Sequence, residues 1–429
     1  MSSFFLMVLR SIDPRRRQKS DRDKSAPKWR STDTVFPVHA IDNTATLKAI
    51  VTRVTDTDSF IQSANDLEIH VPAHFSETVP AVSYTQAQYS GNIDETEDAE
   101  ILQSHVGKAR VVEIPDSARR FLVGPHTAMS LEDYVTRDIP LINLHVINYA
   151  DATLVTLTWP HALTDGMGYI GIVKNWCKVL SGSKNEIEDL GGLHEDPLTV
   201  VAADTGPDKE PFDLDQKQLR GFGLFLFSIR SLIAWVFTPK IHHKGIVIPG
   251  PLFAHVKQLV LEQQEALFKD DPTKKPFISN GDILCSWLVR LVCSETFTLS
   301  NRSVVLMSAV DIRSRLQKLF KPHTVYAQNL LAFSYTFVPL ADVLMAPLSL
   351  FARQIRESLM RQTSESQIYA AVRRNLWSIS TIGRMPLYAD PDSVLVVLSN
   401  LAKQKFKVVA KPILGLGSRL TDNIVLDKL

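Results

Sequence analysis

The sequence predicts a two-domain α/β protein, and three observations carry that prediction. The chain has 429 residues, too many for one ordinary hydrophobic core and enough for two units of roughly 200 residues each. Strand-like runs rich in β-branched and aromatic residues alternate with runs of helical period. Between them lies "SKNEIEDLGGLHEDPLTVVAADTGPDKEPFDLD", residues 183–215, acidic and rich in Gly, Pro and Asp without a sustained period, the composition of a linker. The expected division is a basic, disordered leader over 1–30, a first domain over 31–205, a crossover with an apolar helix over 206–250 and a second domain over 251–429.

Each element follows from local pattern. "SFFLMVLR" is apolar for only six or seven residues, and the basic cluster follows it. That is the reverse of a secretory signal. Lys and Arg outnumber Asp and Glu nine to three from Arg10 to Arg30, which predicts a solvated leader. "HAIDNTATLKAIVTRV" has helix-compatible spacing, and "DLEIHVPAHF" and "ARVVEIP" predict short strands. "LINLHVINYADATLVTLTWP" predicts two strands joined at the turn "YADAT". "MGYIGIVKNWCKVLSG" carries Tyr169, Ile172, Val173, Trp176, Val179 and Leu180 as a helical stripe, closed by Gly182. In the second half Ser279 is expected to cap a helix whose apolar face is Ile283, Leu284, Trp287, Leu288, Leu291 and Val292. "SVVLMSAVD", "LAFSYTFVP" and "DSVLVVLSN" predict strands. "ADVLMAPLSLFARQIRESLMRQ" predicts one long helix bent at Pro347.

Composition narrows the function classes. The formal net charge is +1, which gives nucleic acid no electrostatic claim as a partner. Cys177, Cys285 and Cys293 are the three cysteines. They form no C-x-x-C pair, cannot build a disulfide framework, and suit a reducing, cytoplasmic setting. No His/Cys cluster has metal-ligand spacing, so no metal is expected. The apolar segment 221–239 is at the short limit for a membrane span. It also carries Arg230 at its centre, at a cost of about 2.5–3.5 kcal/mol in a bilayer. It is read as a buried or interfacial helix, with peripheral membrane contact left open.

The chemistry-bearing stretch is "TLTWPHALTDGMGYIGIV", residues 156–173. A strand stops at a proline and presents His161, then Asp165 and Gly166 open a helix. Histidine ordinarily titrates near 6.5, so a strand-end imidazole can take and return a proton near neutral pH. Asp165 could hold that imidazole or brace the turn, and Gly166 and Gly168 permit a tight backbone path. The bland alternative is a strand-end histidine satisfied by backbone, with Asp165 as a helix cap. H-x-x-x-D by itself does not choose between them.

The wider pattern resembles the BAHD acyltransferases, the coenzyme-A-dependent group marked by H-x-x-x-D-G, and in particular their fungal secondary-metabolite branch. Five landmarks occur in order: "TDTVFPVHAID", "PLINLHVINYADATLVTLTWPHALTDGMG", "ISNGDILCSWLVR", "SAVDIRSRL" with "YAQN" after it, and "LSNLAKQKF". The resemblance implies two chloramphenicol-acetyltransferase-like domains with mixed sheets and an active-site channel at their interface. It implies His161 as general base, and Asp165 turned away from substrate to pair with an arginine of "DIRSR", taken as Arg313. Ser399 would help hold the oxyanion, and Tyr326 and Asn329 would shape the acyl-donor side. The reaction implied is O-acylation, acetyl by default, of a hydrophobic alcohol such as a terpenoid, meroterpenoid or polyketide. Acyl-CoA (acetyl-CoA) would be the co-substrate, with no permanently bound cofactor, and the chain a monomer. The family's D-F-G-W-G segment has no counterpart in "KVVAKPILGLGSRLTDNIVLDKL", and Gln328 stands where a glycine is usual. Two alternatives therefore stand beside the transferase: an impaired homologue that only binds a ligand or partner, and an N-acyltransferase or condensation-type enzyme.

Overall fold

The computed structural model describes residues 2–11, 74–95, 109–113, 116–137, 139–161, 163–192, 196–203, 210–237, 244–296, 301–382, 385–401, 418–420 and 426–428. The expected helix at "HAIDNTATLKAIVTRV" and most of "DLEIHVPAHF" lie outside these residues.

The first half is organised by one sheet. Strand β1 (Ser2–Ser11) runs antiparallel to β5 (Ala152–Pro160), β5 antiparallel to β4 (Ile142–Asn148), and β4 parallel to β2 (Val82–Gln88). The turn joining β4 to β5 falls within "YADAT", as the residues predict. Both faces of the sheet are covered, so β4 is buried along its whole length, as a strand flanked on two sides must be. Leu144, Val146, Val155 and Trp159 pack under helix α3 (Gly166–Leu180), whereas Ile147 and Leu154 meet Leu122 and Val123 of α1 (Asp116–Val123). The short helix α2 (Leu131–Thr136) follows α1, started by a Ser130–Asp133 capping box.

The leader expectation fails over Ser2–Ser11. That segment pairs with β5 from Ser2↔Pro160 to Arg10↔Ala152. The basic composition after Arg10 masks a short run with strand propensity, which gains a full ladder of backbone hydrogen bonds from β5. Two C-terminal strands, β12 (Ser418–Leu420) and β13 (Leu426–Lys428), pair antiparallel with β1, so the last residues of the chain return to the first sheet.

The stretch 183–215 is not a bare linker. It contains β6 (Asp189–Gly191), which pairs in parallel with β9 (Thr324–Tyr326), and α4 (Thr199–Ala203). A second tie joins β3 (Arg110–Glu113) to β7 (Lys244–Val247). Three-residue strands have no sequence period to show; they exist because a distant partner satisfies their backbone.

The second half is built on β10 (Leu331–Pro339), β8 (Ser303–Asp311) and β11 (Val394–Leu398), with β8 central, antiparallel to β10 and parallel to β11. Val304 and Leu306 pack against α7 (Asn280–Thr296) and α9 (Leu348–Gln362), while Val305 and Tyr335 meet Phe212, Tyr388 and the alanines of α10 (Glu365–Ile382). Ser279 caps α7 as expected, its Oγ accepting from Asp282 N at 3.3 Å while Asp282 Oδ2 accepts from Ser279 N at 2.7 Å. The buried face of α7, however, is Ile283, Cys285, Ser286, Val289 and Cys293, and Leu291 and Val292 are exposed. Small side chains let that helix lie close to the sheet, a choice that residue size does not announce. Burial pushes the Cys177 thiol up to about 12 and the Cys285 thiol up to about 11, so both are inert packing groups.

Pro347 ends a helix rather than bending one. α8 (Leu340–Met345) stops at Ala346, which is extended with ψ 158°, and α9 starts after Pro347 as its N-cap. The residue before a proline is pushed out of the helical region, which accounts for the break. α6 (Gly250–Leu267) packs on α9 and α7. Among the described residues no helix is long and apolar enough to cross a membrane. The apolar segment forms α5 (Gly221–Phe237), and its apolar side is exposed rather than buried.

Candidate active site

His161 follows directly from Pro160, the last residue of β5, where a tight turn closes by Leu163 N donating to Pro160 O at 2.9 Å. The proline ends the ladder, since it has no N–H to continue it, and the chain turns from strand to helix in five residues. His161 is half-buried.

Asp165 is the N-cap of α3 and is fully buried. Its Oδ1 accepts from Met167 N at 3.0 Å and Gly168 N at 2.8 Å, satisfying two helix-start donors. Its Oδ2 accepts from Leu330 N at 2.7 Å and from Arg313 Nη1 at 3.1 Å. Four donors occupy the carboxylate, and two of them come from the second half.

Arg313 sits at the centre of the junction, 14% exposed. Besides Asp165 it reaches Asp311 Oδ1 at 2.8 Å, Tyr326 O at 3.0 Å and Gln328 O at 2.5 Å. A planar fork of donors suits this work, because one side chain binds two carboxylates and two carbonyls in different directions. The end of β8, the loop between β9 and β10 and the turn after β5 are thereby tied to one guanidinium. That loop, Ala327–Leu330, forms the floor of the turn: Asn329 Nδ2 donates to His161 O at 2.9 Å and Leu330 N to Asp165.

The glycines explain how the halves come so close. A Cβ on Gly168 would stand 2.4 Å from Ala327 O and from Thr164 Oγ1, and one on Gly171 would stand 2.5 Å from Val325 Cγ1. α3 thus lies directly on β9 and the following loop. Gly168→Ala is expected to lower stability by about 1–3 kcal/mol, read as a fall in the unfolding midpoint. An unchanged midpoint would refute the close approach. Gly166 has a milder constraint, with Leu401 Cδ1 3.0 Å from its Cβ position.

Asp165, Arg313, Asn329 and Gly166 are therefore brought together around the turn that carries His161. Ser399 is exposed at the end of β11, two residues from Leu401, which covers Gly166. The ring of Tyr326 is buried in the core with Ile312, Leu316 and Leu330, with Phe320 edge-on at 4.9 Å, its hydroxyl accepts from Lys321 N at 3.1 Å, and what it offers the junction is its carbonyl. Gln328, noted above only as a departure from the usual glycine, is a strap: its Nε2 donates to Gly192 O at 2.6 Å, joining the loop to the chain just after β6. A glycine could not make that bond. Leu330, Ala327 and Gly171 were also not singled out. The one signal available was the pair of glycines three apart in a helix, which implies close backbone approach.

Comparisons with known proteins bear on the family and the fold. The Transferase family matches residues 113–397. The chain is 32% identical over 344 residues to acetyltransferase BOT5 of Botryotinia fuckeliana, covering 79% of this chain and 62% of that one. It is 29% identical over 316 residues to O-acetyltransferase PaAT-2 of Phomopsis amygdali, covering 71% and 63%. It thus spans rather less than two thirds of the length of these relatives. In fold it is similar to the F. graminearum TRI101 protein crystallised with coenzyme A and deoxynivalenol. The TM-score there is 0.63 at 13% identity, covering all of this chain and 86% of that one. With the mixed α/β fold and the family match both in place, the chain belongs to the Transferase family of BAHD-type acyltransferases.

Proposed function

We propose that this chain catalyses acyl-CoA-dependent O-acylation, with acetyl as the group transferred, of a hydroxyl on a hydrophobic secondary metabolite, and that His161 is the base. The observation that carries the proposal is the four-donor lock on Asp165. Because both its oxygens are occupied by backbone N–H groups and Arg313, this carboxylate acts as a strut that fixes the turn, leaving the imidazole to do the proton transfer. The names of BOT5 and PaAT-2 as acetyltransferases and the coenzyme A in the TRI101 crystal support the choice of thioester donor.

In the proposed reaction His161 Nε2 takes the proton of the acceptor hydroxyl as its oxygen attacks the thioester carbonyl. The tetrahedral oxyanion collapses, the C–S bond breaks, and the imidazolium returns its proton to the departing thiolate. The products are the ester and free coenzyme A. Donors near Ser399 and local backbone N–H groups are proposed to steady the oxyanion. Asn329 acts as a positioning residue, since its bond to His161 O sets where the ring starts. Asn329→Ala is expected to lower kcat about 10-fold with little change in KM; an unaltered kcat would remove that role. The overall test is purified protein with acetyl-CoA and a panel of terpenoid and polyketide alcohols, scored for thiol release and an acetyl-for-hydrogen mass gain. Absence of both across the panel would favour the ligand-binding alternative.

A further inference from the structure

The turn after β5 accounts for the junction but not for the surface of α5. Seven of its large apolar side chains stand in water: Phe222 at 72% exposure, Phe225 at 57%, Ile229 at 38%, Leu232 at 57%, Ile233 at 51%, Val236 at 57% and Phe237 at 80%. At the helical advance of about 100° per residue they fall within about 140° of the circumference, a stripe about 22 Å long. The opposite side is tied down: Leu224 and Phe227 pack onto the second half's core, and Arg230 Nη1 donates to Pro391 O at 3.3 Å. The first half of the helix is thus anchored on the protein with its apolar stripe outward, and from Ser228 to Phe237 the described side chains are exposed.

We propose that this stripe docks α5 on the surface of a lipid bilayer bearing anionic headgroups, with the helix parallel to the membrane plane. The charge pattern selects this occupant. From Gln216 to Leu261 the chain has no Asp or Glu and carries Lys217, Arg220, Arg230, Lys240, Lys244 and Lys257. Of these, Arg220 stands at the start of the helix and Arg230 within it, while Lys217 is paired with Asp390 at 3.3 Å; basic groups beside an apolar face favour anionic lipid, by electrostatics added to apolar burial. Exposed apolar side chains also stand near the start of the helix, on its Leu224 side. Exposed Trp377, Ile382 and Met385 line a cleft of about 320 Å³ beside the start of α5, where the guanidinium-bearing residues Arg220 and Arg374 stand among apolar neighbours. A tryptophan beside arginines at the edge of an apolar surface is suited to the headgroup level. A second copy of this chain would bring the same positive charge to the face, which argues against self-association there.

The inference goes beyond the proposed reaction, and its readout does not need that reaction. The intact chain is floated with vesicles of phosphatidylcholine alone and with about one-third phosphatidylserine, beside a triple variant Phe222→Glu, Phe225→Glu, Leu232→Glu. All three positions are exposed, so the variant is expected to keep the wild-type unfolding midpoint. The expected result is wild-type flotation with the anionic vesicles and a loss of about ten-fold or more in partitioning for the triple variant. Wild-type protein left at the bottom of both gradients overturns the proposal, as does a triple variant that floats equally well. Equal flotation with neutral vesicles overturns its electrostatic part. A wild-type dimer in sedimentation that the triple variant lacks, without flotation, would assign the stripe to a second copy instead.

Discussion

Replacing His161 with alanine is expected to lower acyl-transfer turnover by about 10²–10⁴-fold, the usual contribution of a positioned general base. The loss should fall on kcat. His161 is half-buried at the strand end, and the described anchor of its backbone is the carbonyl, which accepts from Asn329. Truncating the side chain leaves that anchor and the Asp165 lock in place. The unfolding midpoint should accordingly change little, which separates chemistry from folding. Wild-type turnover from a folded His161→Ala protein would end the proposed mechanism, whatever the fold.

The opposite profile is expected at Asp165. Asp165→Ala leaves the buried N–H groups of Met167, Gly168 and Leu330 without their acceptor and deprives Arg313 of one of its two carboxylates. Removing one partner of a buried, hydrogen-bonded ion pair costs about 3–5 kcal/mol, a large share of the roughly 5–15 kcal/mol that holds a typical domain together. Denaturant unfolding should show that loss before any assay is run. Arg313→Lys should fail to restore the junction, since an ammonium cannot span two carboxylates and the carbonyls of Tyr326 and Gln328 at once. An Asp165→Ala protein within about 1 kcal/mol of wild type would show that the lock is not structural.

These two residues show what was legible in the sequence. His161 and Asp165 are marked by a strand, a proline and a helix start that lie within a dozen residues of each other, and the family landmarks supply Arg313. Whether Asp165 holds the imidazole or braces the turn is undecidable from that spacing. The answer lies in Leu330 N and Arg313, 165 and 148 residues away along the chain. The local pattern is equally silent on Tyr326, whose ring packs inward and whose carbonyl accepts from Arg313.

Local pattern by itself determined the fold class, the strands β4, β5, β8, β10 and β11 and the helix that follows His161, while the candidate base was singled out by the family resemblance. Those features depend on hydrophobic period, proline and capping, which act over a few residues. Only the tertiary structure decided that Ser2–Ser11 is a strand, that 189–191 joins the two halves, that Gln328 is a strap, and that the apolar side of α5 faces out. Each of these rests on a partner distant in sequence or, among the described residues, on the lack of a covering element, and neither leaves a period in the chain.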